Sequence, residues 1–157
     1  MNNWLKNIEP RDGNYIAGFT DGEGSFNVSI KKRYDYNQKW KIIASFNISQ
    51  KDRVILAWIK KILRCGTLRE RKDGVVYYEV TNIKSLHENI IPFFNKYGFI
   101  SAYKKTNFSI FKQIVNLMIS NDHLNDEGFK KIIELRETLN EGRGRKRKYS
   151  YKDIYQS

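Results

Sequence analysis

From Ser25 onward the apolar positions recur every second residue: Phe26, Val28 and Ile30 alternate with Asn27, Ser29 and Lys31. That period describes a strand with one buried and one outward side. Trp40 to Gln50 repeats it, with Ile42, Ala44, Phe46 and Ile48 on one side and Lys41, Ser45, Asn47 and Ser49 on the other. Asp35-Tyr36-Asn37-Gln38 supplies the turn between them. Ahead of this hairpin, residues 12–22 read as a helix whose apolar positions are Tyr15, Ile16 and Phe19. Over 52–64 the period becomes helical through Ile55, Trp58, Ile59, Ile62 and Leu63, and Gly66 closes it. Residues 67–71 and 75–82 form a second hairpin around Lys72-Asp73-Gly74. Ser85 with Glu88 predicts a capping box opening a helix that runs to about Tyr97, with Gly98 ending it and Pro92 breaking it internally. Two more amphipathic helices follow, over 105–120 and 126–140, the second capped by Asn125 with acids in its first turn.

The element order is therefore αββαββαα or αββαββααα, depending on the break at Pro92. Two hairpins each followed by helix predict an α+β fold: a four-stranded antiparallel sheet with helices on its apolar face. The opposite face carries Asn27, Ser29, Lys31, Arg33, Lys41, Asn47, Arg69, Arg71, Tyr77 and Glu79. Side chains of this kind read base edges when a two-stranded ribbon lies in a major groove.

Composition agrees. The 157 residues suit one domain, and 40% hydrophobic with 14% aromatic content suits a folded one. A formal net charge of +12 calls for a polyanionic partner, with nucleic acid first. A membrane partner is not expected: no apolar run reaches spanning length, no basic amphipathic helix dominates, and Met1 to Lys6 lacks a signal-peptide core. Cys65 alone excludes an internal disulfide and a cysteine-rich zinc site, and His87 and His123 are too far apart in sequence to suggest a metal cluster. Abundant Lys, Asn, Ile, Tyr and Phe beside scarce Ala and Pro match AT-rich codons, as in an organellar genome.

The chemistry concentrates in Tyr15-Ile16-Ala17-Gly18-Phe19-Thr20-Asp21-Gly22-Glu23-Gly24-Ser25-Phe26. Gly18 and Gly22 are four apart, so they share one helical face and leave room for another backbone to approach. Asp21 and Glu23 fall where Gly22 and Gly24 end the helix, a seat for a hard divalent cation. An EF-hand is disfavoured, because Phe26 occupies the loop position that needs glycine.

The run Ile16 to Ser25 closely resembles the signature of the LAGLIDADG homing endonucleases. The segment Asp122-His123-Leu124-Asn125-Asp126-Glu127-Gly128 and the pair Leu139-Asn140 resemble the C-terminal region of the same family, so the likeness covers about Tyr15 to Arg147. It implies the αββαββα LAGLIDADG fold with a DNA-binding saddle, so one endonuclease domain is expected over 1–141. The run Arg143 to Lys148 marks 142–157 as a flexible basic tail, either following flanking phosphates or serving as solubilising charge. A single motif implies a homodimer packed through Ile16, Gly18, Phe19 and Gly22, and a long, nearly palindromic double-stranded DNA target. Glu23 then ligates Mg2+, with Mn2+ or Ca2+ as substitutes, and the Gly22 carbonyl contributes from the partner. Gln50 matches the family's water-positioning residue, and Lys104 or Lys105 its basic residue near the scissile phosphate; Ala102 occupies the position nearest one family pattern. An arginine found in some members falls on Val54, beside Arg53. The implied function is intron-encoded, metal-dependent hydrolysis of both DNA strands, in a chloroplast or mitochondrion. The rivals are an intron-RNA-binding maturase and a DNA-binding regulator without chemistry; intact acids favour cleavage.

Overall fold

The computed structural model describes residues 3–36, 38–141 and 146–156. A 3-10 turn over Asn3–Asn7 leads into α1 (Pro10–Glu23), which starts on Pro10 where a missing N–H is harmless. β1 (Gly24–Lys32) follows without a loop, then β2 (Trp40–Gln50), α2 (Arg53–Leu63), β3 (Thr67–Glu70) and β4 (Val76–Val80). The strands form one antiparallel sheet in the order β1-β2-β4-β3. The two expected hairpins are thus joined through their second strands, and the alternation of buried and open residues along β1, β2 and β4 follows the sequence period.

The segment after β4 departs from expectation. Asn82, not Ser85, caps it: its side chain accepts from Ser85 N–H at 3.0 Å. Helix α3 (Ile83–Ser85) opens into a π turn over Leu86–Ile90 and then α4 (Ile91–Lys96). The Ile91 N–H reaches back five residues to Leu86 O, and this wider turn accommodates Pro92, which has no N–H to give and whose ring would crowd an α-helical turn. Helices α5 (Ala102–Ile119) and α6 (Asp126–Thr138) complete the layer, with Asn125 capping α6 as expected. The helices cover one sheet face around Phe26, whose ring meets Phe46, Phe94, Phe99, Phe108 and Phe111 at centroid distances of 5.0–5.9 Å. No described helix is long and apolar enough to cross a membrane.

Of the segment expected as a flexible tail, 142–145 lie outside the described residues. Lys146 to Gln156 are folded back, with a short helix α7 (Tyr151–Tyr155) against α6. Arg147 pins this return by donating to the carbonyls of Arg136, Glu137 and Leu139 at the end of α6. Tyr149, Tyr151 and Ile154 pack on the hydrophobic core.

Candidate functional site

Helix α1 places its small residues on two sides. Gly13, Ile16, Ala17 and Thr20 face inward, and Ile16 is fully buried in the core. This corrects the expectation that Ile16 contributes to a dimer contact: nothing of its side chain is left to meet a second copy. Gly18 and Gly22 are exposed, and a Cβ added to either would meet nothing within 4 Å. Phe19 is half-buried and stacks on Tyr15, which in turn meets the Trp58 ring edge-on at 5.8 Å. The outward side of α1 is thus a glycine strip beside an open aromatic cluster.

At the foot of that strip the chain turns directly from helix to strand. Gly24 is required there by space, since a Cβ would lie 2.9 Å from Thr20 O. Glu23 is exposed and makes no side-chain hydrogen bond or ion pair among the described residues. Asp21 does the opposite work: its Oδ2 accepts from the backbone N–H of Ile100 at 3.2 Å and Ser101 at 3.0 Å, fastening the start of α5 to the end of α1. Burial pushes the Asp21 carboxyl up, but the Ser101 hydroxyl, these N–H donors and nearby Lys104 outweigh it and hold it below the usual carboxylate range.

Lys104 lies in the first turn of α5, almost wholly buried, and its Nζ donates to Gly24 O. Burial pushes its pKa below the ordinary lysine value, with Asp21 partly restoring it. Lys105, one residue on, points to solvent. Gln50 ends β2 two residues beyond Ile48, the partner of Gly24, so it stands at the same end of the sheet as the acidic turn. Its Oε1 accepts from Lys51 N–H, and its position in the strand shares the helix side with Ile48, not the open face.

The open face collects most of the expected polar residues. Asn27, Ser29, Asn47, Arg69, Tyr77 and Glu79 line one cleft of about 1220 Å³, which Lys104 also borders, and the returning segment Lys146 to Tyr149 forms part of its wall. Tyr77 is flanked by two guanidinium groups, Arg69 at 5.9 Å and Arg71 at 5.3 Å from its ring centre. Lys31 and Lys41 face each other across β1 and β2, a like-charge pair that an anion would relieve. Arg33 is engaged within its own turn by Asp35 at 2.7 Å, and Arg71 bonds Tyr77 and Asp73 just beyond the end of β3; neither borders the cleft.

One feature had no sequence signal. Three alternate carbonyls on the free edge of β1 are met by side chains from α5, α6 and the turn after α6: Gly24 O by Lys104, Val28 O by Arg136 Nε at 2.7 Å, and Phe26 O by Asn140 Nδ2 at 2.7 Å. Arg136 is buried, and burial with the nearby Arg147 charge lowers its pKa while Glu137 offsets part of that.

An acidic helix–strand turn thus stands beside an antiparallel sheet face rich in basic and amide side chains. The family model described as LAGLIDADG endonuclease matches residues 16–115, and the chain belongs to that family. The probable intron-encoded endonuclease 2 of Neurospora crassa is 40% identical over 144 residues, 89% of this chain and 32% of the relative. The archaeal intron-encoded homing endonuclease I-Vdi141I, solved in complex with DNA, superposes with a TM-score of 0.88 at 33% identity over 95% of both chains. I-SmaMI bound to an uncleaved DNA target in the presence of calcium ions superposes with a TM-score of 0.79 at 30% identity, over 84% of this chain and 46% of that one. The chain therefore spans about a third of the Neurospora relative and under half of I-SmaMI.

Proposed function

We propose that this chain is one half of a two-fold, site-specific DNA endonuclease that hydrolyses both strands of a long, nearly palindromic site. The observation that carries the reading is the outward glycine strip ending in the unpartnered Glu23. Gly18 and Gly22 answer no packing need within the chain, so their small size makes sense against a second copy of α1. Packed about a two-fold axis, α1 would bring two Glu23 carboxylates together at its foot. Two adjacent carboxylates repel unless a cation lies between them. Among the described residues no three acidic, histidine or cysteine side chains converge within one chain, and on this reading the second carboxylate comes from the partner.

The donors present, Glu23 carboxylate and Gly22 carbonyl, are hard oxygen ligands that fit Mg2+, with Mn2+ or Ca2+ able to occupy the same seat. When bound, such an ion supplies charge neutralisation and Lewis acidity at the scissile phosphate. The chain's own residues do the rest. Lys104, held beside the turn, offers positive charge where negative charge builds in the transition state. Gln50 serves to orient the attacking water. The open sheet face binds the duplex, with Asn27, Ser29, Lys31, Arg33, Lys41, Asn47, Arg69, Arg71, Tyr77 and Glu79 as its contact set. Lys31 and Lys41 anchor phosphate there.

The neighbour of nearly equal length, solved in complex with DNA, supports duplex DNA as the ligand of a fold of this size. The intron-encoded relative supports an intron origin, and residue usage supports an organellar one. The deciding experiment incubates the protein with plasmids carrying intron-free alleles of candidate host genes. Linearisation with Mg2+ and none with EDTA is expected. Specific binding without cutting would leave a regulator, and retention of intron RNA alone would leave a maturase.

A further inference from the structure

The strand register orders the open face into rows. Level with the acidic turn stand Ser49, Tyr77 and Arg69; next come Ser25, Asn47, Glu79 and Thr67, joined across all four strands. Beyond them the rows are Asn27 with Ser45, Ser29 with Ile43, and Lys31 with Lys41. Within these paired strands the outward positions hold one acid, Glu79, and one aliphatic side chain, Ile43. Both are out of character. An acid on a surface meant for phosphate weakens non-specific attraction, and Glu79 has no ion pair or side-chain hydrogen bond among the described residues to account for it. Ile43 has only Ser29, Lys41 and Ser45 as outward neighbours in the register.

Each has a matching group in the major groove. A carboxylate accepts from the N4 amino group of cytosine, and an aliphatic side chain packs on the C5 methyl of thymine. Resting on the DNA-binding reading above, we infer that Glu79 and Ile43 determine sequence specificity: Glu79 selects a cytosine near the cleavage centre and Ile43 a thymine further out. The spacing follows from the backbone. Asn47, directly across from Glu79, and Ile43 are four residues apart on β2. At about 3.4 Å per residue that is roughly 13–14 Å, or about four base pairs at about 3.4 Å rise.

The test selects bound duplexes from a pool with a randomised core, with Ca2+ replacing Mg2+ to keep them uncut, using the wild type, Glu79→Gln and Ile43→Ser. Thermal melts confirm that both variants are folded; both changes are on the open face. Glu79→Gln should erase a cytosine preference of roughly fivefold or more at one position per half-site and move it toward adenine, which an amide reads bidentately. Ile43→Ser should reduce a thymine preference by roughly fourfold or more, the scale of one buried methylene, about four base pairs farther from the centre. A wild type that enriches no sequence overturns the DNA-recognition reading itself. A wild type that enriches a site whose preferences neither variant alters, or whose two altered positions are adjacent, overturns this inference and leaves that reading standing.

Discussion

Substituting Gly18 by leucine separates what the chain needs from what a second copy needs. Within one chain the site is open, with nothing within 4 Å of a built Cβ, and glycine in an exposed helix interior is a poor residue. Replacing it with a good helix former should stabilise α1 by about 0.8 kcal/mol. For a chain of this length that is a rise in Tm of about 2–3 °C. At a close two-fold helix contact the same side chain enters twice, each insertion costing about 1–3 kcal/mol of overpacking. The doubled figure weakens association by roughly 30-fold to more than 10⁴-fold. Sedimentation velocity across a concentration series reads the dimer constant. Melts taken where the wild type is also dissociated read the chain alone, because association would otherwise add to apparent stability. Gly13→Ala is the contrast, since its Cβ would run into the buried Tyr97 ring and should lower Tm without touching the outward face. A Gly18→Leu protein that dimerises as tightly as wild type would refute the placement of the interface. A fall in its Tm would show that Gly18 serves the fold after all.

Glu23→Gln should abolish cleavage in Mg2+ while leaving duplex affinity within a few-fold, measured by gel shift and plasmid cutting; retained cutting would remove Glu23 from the metal site. Lys104→Met should lower the single-turnover rate by roughly a hundredfold or more, the scale for removal of one electrostatic donor, with affinity only modestly changed. Lys105→Met, which alters a solvent-facing side chain, should leave the rate near normal, and the reverse pattern would move the role by one residue. Asp21 has a lowered folded pKa, so its contribution to stability is present above the ordinary value of 3.8 and disappears as pH falls through the folded value. Asp21→Asn should therefore destabilise the protein at neutral pH and flatten the acid limb of its denaturation profile; an acid limb identical to wild type would count against the clasp on Ile100 and Ser101.

The strands were legible because their period is two and one face is wholly apolar; β2 begins and ends at the residues the alternation marks. The acidic turn was legible because glycines bracket it. Helix α1 was harder: Tyr15, Ile16 and Phe19 read as one apolar set, yet Ile16 faces the core while Tyr15 is more than half exposed. Ser85 looked like a cap because Glu88 follows at the right spacing, but Asn82 is positioned first and its amide oxygen takes the Ser85 N–H. The basic C-terminal run read as a flexible tail, whether following phosphates or merely solvated. Its Arg147 instead finds the unpaired carbonyls that a helix end always leaves, a partner set that composition does not reveal. The rows on the open face, and with them the isolation of Glu79 and Ile43, exist only once the register is known.

The side-chain donors along β1 also set a timetable. β1 leaves the ribosome ahead of the other strands of this sheet, and β2 can pair with it at once. Its other edge must wait for Lys104, Arg136 and Asn140, which lie 80, 108 and 114 residues after the carbonyls they meet. Throughout that interval a nine-residue strand with a strongly apolar face offers an unpaired edge to any neighbouring nascent chain. A chain ending at Ile119 should therefore form aggregates larger than a dimer under conditions where the full chain does not, which light scattering would register. The residues that hold the finished edge shut are made long after the strand they close, so this edge is most open to wrong pairing while the chain is still being completed.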